Sequence, residues 1–291
     1  DKEETYFSVR LYEQDSLVLC LQPEKEVKVQ AAEVFEDEEI VSETNWQGLV
    51  EYELSEENVL LLDQAEYSVD GKEWSGKEEI LRIDEKIREE LGYVQRSDGM
   101  PQPWTRTPMP EEHLVRLKFF ILSEISVNKA VLVLENQDAE VEWNGKKVFC
   151  SGNEAYYVDR ALKCVELNNI NKGINILTVT FWYGQDTNME WCYLLGDFGV
   201  FLQGDQAMIR ERPKRLGLSD ITVQGFPFYG GNVTYKLPVK GKAEILEMQF
   251  PEYNAVLLSG EIDGEQSQDF YKEPHKIRFK TVKEKEQEVH I

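Results

Sequence analysis

Apolar side chains recur along most of this chain with a period of two, the spacing of strands that bury one face. Within residues 114–122, Val115, Leu117, Phe119 and Ile121 alternate with Arg116 and Lys118, so the pattern predicts one core face and one wet face. Leu177, Val179 and Phe181 repeat it in residues 174–182, as do Val233, Tyr235, Leu237 and Val239 in residues 232–239 and Leu246, Met248 and Phe250 in residues 244–250. Val131-Leu132-Val133-Leu134 is apolar on both sides and predicts a central strand. The clearest local signal is Ala139-Glu140-Val141-Glu142-Trp143-Asn144-Gly145-Lys146-Lys147-Val148-Phe149. Asn-Gly supplies the two positive-φ residues of a type I′ turn, which sets Val141 opposite Val148 on the core face and Glu142 opposite Lys147 on the wet one.

Residues 6–11, 16–21, 27–34, 48–54 and 59–67 read as further strands, closed by the turn signal Val69-Asp70-Gly71-Lys72. From Ser75 the period changes. Ser75-Gly76-Lys77-Glu78 has capping-box spacing, and Ile80, Ile83, Ile87 and Leu91 recur at helical intervals before Gly92. Residues 93–112 hold four prolines, which leaves too few backbone donors for a regular element and predicts a connector. Residues 156–158 and 165–167 add strands to a sandwich that residues 191–201 close. Residues 255–264 repeat the order of residues 130–145, so the second half reads as a degenerate copy of the first. It stops at Glu288-Val289-His290-Ile291, where the counterpart of residues 174–182 should start. That predicts an open edge and a natural protein that continues. The fold class is all-β, with tandem sandwiches and one short helix in a connector. The expected organisation is an N-terminal β region at 1–74, helix and proline-rich connector at 75–112, a sandwich at 113–204 and a second, incomplete one at 205–291.

A chain of 291 residues, 41% hydrophobic and 11% aromatic, accommodates two or three domains with buried cores. Its 32 basic and 55 acidic residues give a net charge of −23, which repels nucleic-acid phosphates and anionic lipid and sets both aside as partners. No apolar run of about 18 residues is present to span a bilayer, and the opening Asp-Lys-Glu-Glu is neither basic nor apolar like a signal segment. Cys20, Cys150, Cys164 and Cys192 are scattered without a C-x-x-C pair, and His113, His275 and His290 lie apart from them. These spacings fit free thiols in a reducing, cytoplasmic setting better than a zinc site, a disulfide framework or a Ser-His-Asp triad.

Several segments, taken in order, resemble a known group. They are Asn58-Val59-Leu60-Leu61-Leu62-Asp63, Gln102-Pro103-Trp104, Glu140-Val141-Glu142-Trp143-Asn144-Gly145, Gly173-Ile174-Asn175, Leu195-Gly196-Asp197-Phe198-Gly199 and Gln224-Gly225-Phe226-Pro227-Phe228-Tyr229-Gly230-Gly231. Together they resemble the β-sandwich modules of large bacterial glycoside hydrolases, similar to the sugar-binding domains of family 2 enzymes and of α-L-rhamnosidase-like proteins. The resemblance covers most of the chain and implies jelly-roll, galactose-binding-like sandwiches that accompany catalysis. In such enzymes the catalytic carboxylates sit in a separate α/β barrel, and this sequence has no alternating βα units to form one. The resemblance therefore implies no catalytic residue and no cofactor here, with the catalytic domain of the same parent protein as partner and carbohydrate as a further one. An adhesion or surface-interaction module is the alternative. An autonomous β-sandwich carbohydrate-active enzyme is the third reading, and it needs a cleft with convergent carboxylates.

Trp182, Tyr183, Gln185, Asp186, Asn188 and Trp191 form the candidate carbohydrate surface, with Tyr193 beside Trp191. If Phe181 faces the core then Trp182 faces out, where an indole beside amide and carboxylate groups suits a sugar's apolar face and hydroxyl rim. The plainer alternative buries these aromatics against another domain. Gln102-Pro103-Trp104 reads as a stiff linker or a plug toward a barrel, and Gln224 to Gly231 as a packed strand start bent by Gly-Gly. The pairs Glu140 with Glu142 and Glu190 with Asp197 carry little information in so acidic a chain, because catalysis needs a defined separation and perturbed pKa values. Asp186 and Asp197 are oxygen donors for calcium in principle, without an EF-hand series behind them.

Overall fold

The computed structural model describes residues 11, 17, 18, 40, 42–96, 109–136, 138–149, 155–271, 273, 275–282 and 284–291. The strands expected within residues 6–34, the Gln102-Pro103-Trp104 segment, Cys20 and Cys150 lie outside these residues or almost wholly so. The described chain is all-β with a single α-helix. Its strands are β1 (Leu49–Leu54), β2 (Asn58–Leu62), β3 (Gln64–Val69), β4 (Glu78–Glu79), β5 (His113–Ser123), β6 (Ala130–Leu134), β7 (Glu140–Trp143), β8 (Lys146–Val148), β9 (Tyr156–Tyr157), β10 (Asp159–Leu167) and β11 (Gly173–Tyr183). They continue with β12 (Cys192–Gly196), β13 (Gly199–Gln203), β14 (Gln206–Arg210), β15 (Leu216–Gly217), β16 (Val233–Lys240), β17 (Ile245–Gln249), β18 (Leu258–Ile262), β19 (Glu265–Phe270), β20 (Lys276–Lys280) and β21 (Glu286–His290). The helix is α1 (Ile80–Leu91).

Two compact units emerge, one of residues 54–233 and one of residues 1–53 with 234–291. In the first, a sheet ordered β2-β12-β6-β10-β9 faces an eight-stranded sheet ordered β13-β14-β5-β11-β7-β8, with β3 and β4 added at β5. Leu132 and Leu194 of one sheet and Val115, Leu117, Leu177 and Val179 of the other are buried in a shared core. The hairpin forms as its sequence dictates: Val141 pairs Val148, Glu142 pairs Lys147, and Asn144 and Gly145 take φ of 51° and 76°. β6 is central, and the alternation along β5 and β11 buries the expected residues.

Four features depart from the sequence reading. Residues 59–67 are not one strand: β2 and β3 belong to opposite sheets, and the chain changes sheet at Asp63, whose carbonyl accepts from the Ile80 N–H at 2.8 Å. Residues 191–201 likewise divide into β12 and β13 on opposite sheets. A Cβ at Gly196 would lie 2.6 Å from the buried Phe198 ring, so only glycine fits this crossing. The helix starts five residues after Ser75, because the Ser75 N–H is held by the Tyr67 carbonyl and Glu78–Glu79 pair with β3. Glu79 is the N-cap, accepting from Arg82 N at 3.1 Å, and Gly92 closes the helix at φ 69° with its N–H on the Arg88 and Glu89 carbonyls. Ile80, Ile83 and Ile87 are fully buried in the same core as β5 and β11. Leu60, Leu62, Ala65 and Val69 of β2 and β3 are buried in that core as well.

In the second unit β16 and β18 flank β21, with β1 beyond β16 and β19 beyond β18, while β17 pairs β20. Leu237, Ile262, Ile277, Phe279 and Val289 form its core. The fourth departure lies here. Residues 286–290, expected only to approach a missing strand, are themselves a central strand with Val289 fully buried. Residues 255–257 precede the strand they were expected to begin, and Val256 is 95% exposed.

Candidate functional site

The loop after β11 is positioned from beneath by α1. Arg88, fully buried, donates from Nε to Asp84 Oδ2 at 2.8 Å, from Nη1 to the carbonyls of Val94 (3.1 Å) and Gln185 (3.0 Å), and from Nη2 to the Thr187 carbonyl at 3.0 Å. Arg96 Nε meets the same carboxylate at 2.9 Å, and its Nη2 donates to the Met189 carbonyl at 3.1 Å. Tyr183 donates its hydroxyl to Asp84 Oδ1 at 2.6 Å, and burial with this hydrogen bond pushes its pKa far up. A buried carboxylate is tolerable only when paired and hydrogen-bonded, and Asp84 has two guanidinium groups and a phenol. Thr187 Oγ1 completes the loop by accepting from Gly184 N at 2.8 Å and donating to Glu111 at 2.7 Å.

Within this frame the six candidate residues divide. Trp182 is 56% exposed, opposite Leu114 on the outer face of β11. Tyr183 faces the other way, fully buried and stacked on Tyr93 with ring centroids 6.3 Å apart. Trp191 packs against the main core, and its indole N–H donates to Glu79 at 2.8 Å. Gln185 is half-buried. Asp186 accepts from the Met109 N–H at 3.0 Å, and exposed Asn188 donates to the Glu135 carboxylate. The structure therefore brings Gln185, Asp186 and Asn188 into one turn while separating Trp182 from Tyr183. Below Asn188 and Met189 lies a cavity of about 20 Å³; it holds about one water and no sugar ring.

Of the suspected carboxylates, Glu140 lies by Lys147 at 2.9 Å, Asp197 by Arg212 at 3.1 Å and Glu190 by Arg96 at 2.8 Å, while Glu142 shares a face of β7 with Glu140. Among the described residues no group of three or more His, Cys, Asp or Glu is placed to hold a metal ion. Nor is any helix among them long and apolar enough to cross a membrane. Cys164 and Cys192 are free, and burial pushes the Cys192 thiol up to about 12, away from nucleophilic use at neutral pH. Asparagines of three segments that carry the family resemblance join neighbouring elements. Asn58 Nδ2 donates to the carbonyls of Phe198 (2.8 Å) and Gly225 (3.0 Å), and Asn144 Nδ2 donates to Asn175 Oδ1 at 3.0 Å.

Two surfaces were missed by sequence reasoning. On the outer face of the eight-stranded sheet, Ile174 pairs Leu122, Leu122 pairs Met208, and Met208 pairs Phe201, a row of apolar side chains across four strands. Phe120 and Ile176 form the next pair and are 50% and 38% exposed. On the outer face of the five-stranded sheet, Val59, Val133 and Leu195 form a buried cluster of their own, with Tyr157, Tyr193 and Phe228 packed against it. Period-two alternation identifies one core face; it is silent about a strand apolar on both sides, and the partners of such a face come from distant segments.

No protein-family profile matches the chain, and no curated protein matches it in sequence. Solved structures with a resembling course include a GH2 β-galacturonidase from Eisenbergiella tayi, with 14% identity, a TM-score of 0.27, and coverage of 83% of this chain and 37% of that one. A β-D-mannosidase from Dictyoglomus thermophilum gives 13% identity and a TM-score of 0.29 over 78% of this chain and 31% of its own. An anti-sigma factor domain-containing protein from Clostridium clariflavum gives 9% and 0.22 over 79% and 88%. The chain thus spans less than two fifths of the length of the two glycoside hydrolases. At these identities and TM-scores no residue role, substrate or activity passes from them to this chain.

Proposed function

We propose that the chain is a noncatalytic β-sandwich portion of a bacterial glycoside hydrolase, a module that packs on the catalytic domain of the same parent protein. The observation that carries this reading is the apolar outer face of the eight-stranded sheet, where Ile174, Ile176 and Phe120 stand exposed on a rigid surface beside half-buried Leu122, Met208 and Phe201. Contiguous apolar area of this kind on folded strands suits a protein interface, in which burial supplies the affinity. The cation-paired carboxylates support a noncatalytic role, and the free thiols of Cys164 and Cys192 support a reducing compartment. Carbohydrate contact by the exposed Trp182 indole, with Asp186 and Asn188 on the adjoining loop, is a second reading.

The test is docking in trans. The purified chain should coelute with the catalytic domain of its parent protein, and Phe120→Asp or Ile176→Asp should weaken that association at least about tenfold, the effect of losing one buried apolar anchor. The chain alone should not turn over aryl glycosides. Undiminished coelution by both folded variants overturns the docking face, and turnover abolished by replacing one of the chain's own carboxylates overturns the noncatalytic role.

A further inference from the structure

The outer face of the five-stranded sheet carries tyrosines packed against its buried cluster. Tyr193 projects from β12 in a cross-strand row with Leu61 and Val133. Tyr229, on the segment that follows Phe226, lies with its hydroxyl 3.3 Å from Ser55 Oγ and 3.4 Å from Glu56 N, and donates to the Asn232 carbonyl at 2.9 Å. The Tyr157 phenol and the Glu56 carboxylate are close enough to interact. Backbone closes in from the side: a Cβ at Gly231 would stand 2.6 Å from the Tyr229 hydroxyl and 2.8 Å from Glu56 Oε1. Next to Tyr157, Val158 holds a positive φ of 57° although it is 78% exposed. For a β-branched residue this is a strained backbone, and its own packing does not explain it.

We propose that this face binds the ring of a neutral pyranose, with Tyr193, Tyr157 and Tyr229 around it and Glu56 accepting its hydroxyls. The choice of a sugar rests on reading the chain as part of a carbohydrate-active protein. Aromatic rings match the C–H face of a pyranose, while phenol hydroxyls both donate and accept along its hydroxyl edge. Burial, with Glu56 beside it, pushes the Tyr157 phenol up to about 12, so it remains a donor at neutral pH. Glu56 acts on Tyr157, and Glu135 and Glu190 act on Tyr193, so a sugar carboxylate meets like charge. Trp182 lacks this convergence: its cross-strand partner on the outer face is Leu114.

Saturation-transfer NMR and calorimetric titration of the full chain, with neutral methyl glycosides and their oligosaccharides as probes and methyl uronides as charge controls, test the assignment. Neutral glycosides should bind with Kd on the order of millimolar and uronides more weakly. Tyr193→Ala and Glu56→Gln should each weaken binding about tenfold, as loss of a stacking ring or a charged acceptor does. Tyr193→Phe, which keeps the ring, covers the case in which the alanine variant does not fold, and it should lose affinity by a smaller factor. Unchanged affinity in folded Glu56→Gln and Tyr193→Phe, absence of binding by any neutral glycoside, or tighter binding of uronides overturns the inference. Phe120→Asp separates it from the docking role: docking without sugar binding removes this site alone, and sugar binding without docking removes the supporting role alone.

Discussion

At the scale of single residues, Arg88 and Asp84 do most to define the candidate loop. Arg88→Ala leaves Asp84 buried with one guanidinium fewer and frees three carbonyls. We expect a loss of about 3–5 kcal/mol, against about 1–3 kcal/mol for Tyr183→Phe, which removes one hydrogen bond to the same carboxylate. Urea melts of both variants check the order; equal losses would show that the clamp is not centred on Arg88. Asp70 gives a pH test. The His113 side chain first, and then the Leu114 N–H, hold its carboxyl below the usual range. A carboxyl lowered by folding contributes stability that is complete above its unfolded pKa and is lost as pH falls through the native one. The margin of wild type over Asp70→Asn should therefore shrink as pH falls below about 4. A margin that is undiminished well below that pH contradicts the assignment.

Among elements, legibility followed the range of the signal. The hairpin at 140–148 and the faces of β5 and β11 were readable because turn chemistry and alternation are local. The sheet changes at Asp63 and at Gly196 were not, because hydrophobicity continues across both while the hydrogen-bond partners switch. The helix was visible in Ile80, Ile83 and Ile87, yet its start moved because Glu78–Glu79 found a strand partner in β3. Of the candidate site, the outward direction of Trp182 followed from alternation. The burial of Tyr183 and the engagement of Trp191 with Glu79 did not, since both depend on a helix about a hundred residues earlier. The tyrosine cluster draws on residues 56, 157, 193 and 229, and no window of sequence contains it.

For the molecule as a whole, 55 acidic residues against 32 basic ones make self-repulsion a standing cost. Raising ionic strength from about 0.01 M to 0.15 M shortens the screening length from about 30 Å to 8 Å, so thermal midpoints should rise over that interval. A falling midpoint would mean that surface pairs such as Lys147 with Glu140 outweigh the net charge. The excess of acid also bears on how the loop of residues 184–190 can vary. Arg88 and Arg96 grip it through the carbonyl oxygens of Gln185, Thr187 and Met189, atoms that every amino acid supplies. The loop's course is thereby uncoupled from the identity of several of its side chains. Position 185 is open to drift, or to deliberate diversification, on a frame that selection can leave untouched.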